Sequence, residues 1–385
     1  MARPEPFTLA VPDSALADLR ERLARTRFPD QPPGEAWATG TDLDYLRGLI
    51  AYWRDGFDWR AEEAALNAFP QYRVEMPIPP GDAGVPLHFL HVPGKGPAPM
   101  PLLLLHGWPG SVLEFLEIIP RLADPARFGG DPRDAFTVIA PSLPGYTLSF
   151  RPGQKRFGVA EIADCVAELM TVLGHARFGA QGGDWGGFVA SRLGAVHAER
   201  MIGIHLNMLA VRRDPVTEPA NEEERRYAGE LAEWLHEETG YQAIQGTRPQ
   251  TLAYALTDSP AGLAAWIVEK FRAWTDGGGS PEGAVPRDRM LADISLYWFT
   301  GAVGSSFWPY YARLHGPWPV PGRVAVPMGY AQFPREILRP PRSLAERTYT
   351  DIRRWTVMPK GGHFAALEQP AALAAEVAAF FRALR

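Results

Sequence analysis

Between residues 7 and 75 the apolar positions recur at helical spacing, and many are aromatic. Leu16, Leu19 and Leu23 fall on one face of a helix for which Asp13 is the expected N-cap, with Asp18–Arg22 and Glu21–Arg25 spaced as i,i+4 ion pairs. Thr41-Asp42-Leu43-Asp44 reads as a capping box with Asp in place of Glu, ahead of Tyr45, Leu49, Tyr52 and Trp53. This stretch holds no constellation of catalytic type, so its expected role is packing. From Tyr72 the pattern changes. Tyr72–Met76 and Val85–Val92 flank a Pro/Gly turn as in a hairpin, and Leu102–Leu105 and Val138–Pro141 are short continuous apolar runs of the buried parallel kind. Arg177–Ala180, Met201–Leu206, Val324–Tyr330 and Arg354–Met358 are further strand candidates. Helical stretches separate most of them, which predicts a doubly wound, mostly parallel α/β sheet.

Between about residues 215 and 318 this alternation stops. A charged helix over 222–239 gives way to a region containing Trp266, Phe271, Trp274, Trp298 and Trp308. A helical insertion over the C-terminal edge of the sheet fits, the edge where open α/β sheets bind ligands. The expected organisation is a helical extension over 1–75, the first part of the core over 76–214, a helical lid over 215–318 and the rest of the core over 319–385.

Composition changes this picture little. An apolar fraction of 46% with 22% charged residues is that of a globular protein, and 38 Gly with 38 Pro stay below the share that signals disorder. A formal charge of −5 offers no basic face, so neither nucleic acid nor anionic lipid is an expected partner. Cys165 is the only cysteine and lies among Ile162, Val166, Leu169 and Val172 at helical spacing, which reads as a buried, inert thiol. The N-terminus has no apolar signal segment, and no apolar run nears the ~20 residues of a membrane helix. A cytoplasmic protein without a membrane anchor is the simplest expectation. A homodimer, with the N-terminal part as a contact, stays open.

Chemistry enters at Gly182-Gly183-Asp184-Trp185-Gly186, between a predicted strand and a predicted helix over 187–196. This is a Gly-x-nucleophile-x-Gly elbow with aspartate at the position more often held by serine. Such a turn needs small residues two before and two after the nucleophile, because strand and helix approach closely there. The turn also sets the carboxylate at a helix N-terminus, which favours its charge. Taken alone, the segment also reads as a Gly-rich turn with an N-capping Asp; no Gly-Lys-Ser/Thr follows to suggest a phosphate loop. A carboxylate attacking carbonyl carbon gives a labile anhydride, whereas at strained or activated saturated carbon it gives an ester that water can later cleave. An elbow aspartate therefore points to epoxides or alkyl halides.

His106-Gly107-Trp108-Pro109-Gly110-Ser111 follows the strand over 102–105, where such folds supply one backbone N–H of an oxyanion hole; the other comes from the residue after the nucleophile. Trp108 and Trp185 are the expected donors. Of nine histidines, His363 lies last, after the strand ending at Met358 and a Pro359-Lys360-Gly361-Gly362 loop, which matches the order nucleophile, acid, histidine. Glu336, after the strand over 324–330, is the expected acid; Asp351 and Asp214 are weaker rivals. No grouping with metal-ligand spacing occurs, so neither metal nor cofactor is expected.

Together these motifs resemble the epoxide hydrolases of the microsomal type along nearly the whole chain. Phe57-Asp58-Trp59-Arg60 and the segment from Leu66 to Tyr72 resemble that family's lead-in; His106–Ser111, Gly182–Gly186, Phe333–Leu338 and Gly361–Ala366 resemble its core motifs; Asp258–Phe271 resembles its lid. The resemblance implies an α/β-hydrolase fold with a lid and N-terminal extension, no cofactor, and an epoxide with water as reactants. It also implies two lid tyrosines that bind the epoxide oxygen and line the substrate site with Trp108 and Trp185. By motif these are Tyr241 and Tyr310, with adjacent Tyr311 as the alternative to the latter. The implied reaction forms a diol through an ester on Asp184, on a bulky apolar or aromatic epoxide of detoxification or natural-product metabolism. Haloalkane dehalogenation and a non-catalytic ligand-binding role are the competing readings, and the tyrosine hydroxyls argue against the first.

Overall fold

The structure, a computed structural model, describes residues 3–77, 84–212 and 218–385. Among these, nine strands form one sheet: β1 (Glu5–Pro6), β2 (Gln71–Met76), β3 (Val85–Val92), β4 (Met100–Leu105), β5 (Phe136–Pro141), β6 (Phe178–Gly182), β7 (Met201–Leu206), β8 (Met328–Gln332) and β9 (Ile352–Val357). Their spatial order is β1-β2-β3-β5-β4-β6-β7-β8-β9. Pairing is antiparallel from β1 to β5 and parallel from β5 through β9. The expected hairpin is formed by β2 and β3; its turn and the rival acid Asp214 lie outside the described residues. Leu102–Leu105 on β4 and Val138, Ile139 and Ala140 on β5 are buried on both faces, which is why those runs are continuously apolar.

The strand expected over 324–330 is shorter. Only Val324 bridges to Tyr349 before the regular pairing of β8 starts at Met328. Pro327 lacks the N–H that a ladder needs at that point. Two caps also move by one residue. Pro12, not Asp13, caps the helix Asp13–Ala24, and Asp13 is its first residue; Asp42, not Thr41, caps Leu43–Asp55, accepting from the Tyr45 amide. Both expected i,i+4 pairs form, Asp18–Arg22 at 2.9 Å and Glu21–Arg25 at 2.6 Å. Cys165 is half-buried, and burial pushes its thiol up to about 12.

Between β7 and β8 the chain forms helices Glu222–Glu237, Gly240–Thr247, Pro249–Asp258, Pro260–Trp274, Arg287–Thr300 and Trp308–His315. They cover the C-terminal ends of β4, β6, β8 and β9. The N-terminal segment joins the sheet edge through β1 and fastens this covering layer. Trp53 Nε1 donates to Ser295 Oγ at 3.0 Å, Thr41 Oγ1 to the Ala265 carbonyl at 2.7 Å and Tyr52 Oη to Asp288 at 2.7 Å, while Arg289 pairs with Glu62 at 3.0 Å. Among the described residues no helix is long and apolar enough to cross a membrane.

Candidate active site

The elbow forms as its glycines require. Asp184 follows β6 with φ of +46°, a strained value for a residue with a side chain, and opens the helix Asp184–Val196. A Cβ at Gly182 would collide with the Gly186 carbonyl, and one at Gly186 with the carbonyl of Leu105 on β4. Strand, elbow and helix therefore close only with hydrogen at both positions. Gly107 is similarly constrained, since a side chain there would strike the Asp184 carboxylate.

Three loops meet at this carboxylate. The Trp108 amide, just after β4, donates to Asp184 Oδ1 at 2.8 Å. His363, after β9, places Nε2 at 3.5 Å from Asp184 Oδ2. Glu336, after β8, places Oε1 at 2.7 Å from His363 Nδ1 and also accepts from the Ile337 amide at 2.8 Å. The acid and histidine loops are tied to one another because the Arg335 amide donates to the Gly361 carbonyl at 3.1 Å, and the His363 amide donates to the carbonyl of lid residue Trp274 at 2.8 Å. Glu336 and His363 are buried. Burial opposes charge on His363, but the Glu336 and Asp184 carboxylates outweigh it and push its pKa up to about 10. Asp351 sits at the opposite end of β9, paired with Arg353 at 2.9 Å.

The lid closes the other side with aromatic rings. Tyr241 stacks on Trp108 at 5.5 Å between centroids and meets Tyr310 edge-on at 5.8 Å. Tyr310 in turn stands edge-on to Trp185 at 4.8 Å and to Trp108 at 5.9 Å. Both tyrosines are buried, and burial pushes the Tyr310 phenol well above its ordinary value. Tyr311 turns away, stacked between Trp308 at 4.6 Å and His315 at 4.0 Å. The candidate site residues taken from the sequence, other than Asp351 and Tyr311, thus converge on one place; Asp214 lies outside the described residues. The Trp185 backbone N–H lies there by position in the chain, one residue past Asp184.

Known proteins resemble this chain along its length. Residues 4–115 match the family model described as epoxide hydrolase N terminus, and residues 100–240 match that of the alpha/beta hydrolase fold. A Stigmatella aurantiaca protein bearing an epoxide hydrolase name is 47% identical, over 99% of this chain and 85% of that one. Epoxide hydrolase 1 of Oryctolagus cuniculus is 34% identical, over 97% of this chain and 88% of its own. The chain belongs to the epoxide hydrolase family. Its fold superposes on the juvenile hormone epoxide hydrolase of Bombyx mori with a TM-score of 0.89 at 30% identity, covering 100% of this chain and 95% of that one. The corresponding values for Aspergillus niger epoxide hydrolase are 0.84 and 31%, with 99% and 97% covered.

This epoxide hydrolase also carries polar groups around the site that the sequence pattern did not single out. Behind Asp184 and His363 lies a small cavity, with about 20 Å³ of room for a water-sized molecule, lined by Glu114, Gln181 and Asn207 as well as those two residues. Burial raises the Glu114 carboxyl well above its usual range, with Asp293 adding to the effect. Asp293 accepts from Ser111 Oγ at 2.6 Å and is raised by burial to about 7. Tyr297, one turn further along the same lid helix, donates to the Gly110 carbonyl at 2.8 Å. The loop that carries Trp108 is thereby held from the lid side. As isolated carboxylates on helical segments, Glu114 and Asp293 look solvated in the sequence.

Proposed function

We propose that this epoxide hydrolase opens its substrate through a covalent ester on Asp184. The observation that carries the reading is the pair of contacts on that carboxylate. Oδ1 rests on the Trp108 amide, while Oδ2 faces His363 Nε2 beneath the lid tyrosines. Oδ2 is then the attacking oxygen and Oδ1 the one that becomes the oxyanion, with the Trp185 amide as the second donor. Tyr241 and Tyr310 donate to the epoxide oxygen as its C–O bond breaks.

The charge on His363 explains how one residue serves both half-reactions. With Asp184 ionised, His363 is protonated at neutral pH. Alkylation neutralises Asp184 and removes one of the two charges that hold this proton. The proton is released and the neutral imidazole, oriented by Glu336, becomes the base that activates water. Water attacks the ester carbonyl, the diol leaves, and the restored Asp184 carboxylate holds His363 charged again.

The enclosing rings of Trp108, Trp185, Tyr241, Trp274, Phe307 and Tyr310 favour a bulky apolar or aromatic epoxide. The test is rapid-quench analysis with styrene oxide. H363Q is expected to accumulate an ester on the peptide carrying Asp184, and D184A to form none. The wild type should give diol and should release no halide from a bromoalkane. Equal residual turnover in D184A and H363Q, without ester in either, would contradict the scheme.

A further inference from the structure

Tyr241 and Tyr310 are two buried phenols over one nucleophile, but their surroundings differ. Gln242 Nε2 donates to the Tyr241 hydroxyl oxygen at 2.8 Å. The amide is fixed in that sense because Arg313 Nη2 donates to Gln242 Oε1 at 2.9 Å, so the oxygen end of Gln242 is occupied and the NH₂ end must face the phenol. A hydroxyl oxygen that already accepts a hydrogen bond holds its own proton for a different acceptor. The same donor stabilises the oxygen as negative charge builds on it.

Lys270 adds a second influence. It belongs to the lid helix Pro260–Trp274, is 5% exposed, and sets its ammonium over the face of the Tyr241 ring, 4.4 Å from the centroid and 5.5 Å from that of Trp274. Its ion-pair partner is the neighbouring Glu269. A desolvated cation over a ring is attracted to its electron density, and a phenol losing its proton gains such density, so the ammonium favours the deprotonating form. Among the described residues, the charged and titratable groups around Tyr241 include Lys270 with its partner Glu269 from one helix, and Tyr310 and, through Gln242, Arg313 from another. On Tyr310 the ring neighbours are Trp108, Trp185 and Tyr241.

We propose that Gln242, oriented by Arg313, and the buried ammonium of Lys270 are positioning residues that make Tyr241 the principal proton donor to the opening epoxide. The inference rests on the reading of Tyr241 as an epoxide-oxygen donor. In this step Asp184 Oδ2 bonds to the epoxide carbon and the carbon–oxygen bond breaks with its electron pair on oxygen. That oxygen takes the Tyr241 proton and leaves a tyrosinate beside Gln242 and Lys270. The proton that His363 releases once Asp184 is esterified restores the phenol. The second step then runs with His363 neutral, and His363 regains a proton from the attacking water. When the tetrahedral intermediate collapses, the remaining acid proton on Asp184 passes to the departing alkoxide. The cycle consumes one water and needs no outside proton.

The experiment is a double-mutant cycle on single-turnover alkylation by styrene oxide, with ester hydrolysis measured in the same traces. Q242L and K270M should each slow alkylation about tenfold and leave ester hydrolysis unchanged, with K270R restoring most of the loss. In a Y241F background neither substitution should slow alkylation further, because each acts through the hydroxyl that is already gone. A purely structural role for Gln242 or Lys270 would lower the rate equally in both backgrounds, and that result overturns the inference, as does wild-type alkylation by Q242L. If K270M does not fold, Q242L and K270R carry the test. Should Y241F itself alkylate at the wild-type rate, the donor reading of Tyr241 fails and this inference with it; a slow Y241F beside an unaffected Q242L rejects the inference alone.

Discussion

The two halves of the site are built on different principles. The Asp184 half hangs on the ends of β4, β6, β8 and β9, where backbone is packed against backbone and Gly182 and Gly186 leave no room for a methyl group. The tyrosine half hangs on lid helices that pack through aromatic rings and are fastened from outside by the N-terminal segment through Trp53, Thr41 and Tyr52. The first half holds atoms to hydrogen-bond precision through the main chain. The second relies on side chains contributed by distant parts of the sequence, and meets the first through the Trp274 carbonyl on the His363 amide and Tyr297 on the Gly110 carbonyl. Damage to the core half should therefore abolish chemistry outright, and damage to the lid half should lower it in steps.

The largest effect separates the halves most sharply. D184A should cut kcat/KM for styrene oxide by about ten-thousand-fold or more, as loss of a nucleophile does, with the fold retained by circular dichroism. E336Q should follow, slowing ester hydrolysis by about a thousandfold in single turnover while alkylation continues, because His363 loses both its orientation and a charge. On the lid side Y310F should slow alkylation by only about tenfold, since Tyr241 remains as donor. Least effect on the chemistry itself is expected of S295A, which leaves the buried Trp53 Nε1–H without its acceptor. It should cost about 1–3 kcal/mol in denaturant unfolding and loosen lid attachment while His363 titrates as in the wild type.

A pH measurement sharpens the same contrast. The folded-state value for His363, about 10, lies above the ordinary 6.5, so its charge stabilises the fold fully below pH 6.5 and the contribution is lost as pH rises through about 10. The Tm difference between wild type and H363Q should therefore shrink across that window. In D184N the imidazole, followed by NMR, should titrate at lower pH than in the wild type.

The core half was legible in the sequence for a physical reason. An elbow cannot close without its glycines, and the order of strands fixes which loops can reach it, so Asp184, Glu336 and His363 follow from spacing. The lid half was not. Helical periodicity identifies its helices but not the direction each face takes. Tyr241 and Tyr310 came from resemblance to a family, while nothing in the residue types or spacing of Lys270, Gln242, Glu114 and Asp293 marks them as neighbours of the site. The same limit displaced the caps at Pro12 and Asp42 by one residue, since capping depends on backbone angles that the residue types there only bias. Likewise the apolar run from Val324 extends past the pairing that Pro327 permits.

The most direct measurement of covalent catalysis by Asp184 is one turnover of styrene oxide with enzyme in excess, in water labelled with heavy oxygen. An ester on Asp184 requires that the oxygen added to the epoxide come from the carboxylate. The first diol should then be unlabelled, and the label should appear on the peptide carrying Asp184. Label in the first-turnover diol, with none on Asp184, would mean that water attacks the epoxide directly and would contradict the covalent mechanism.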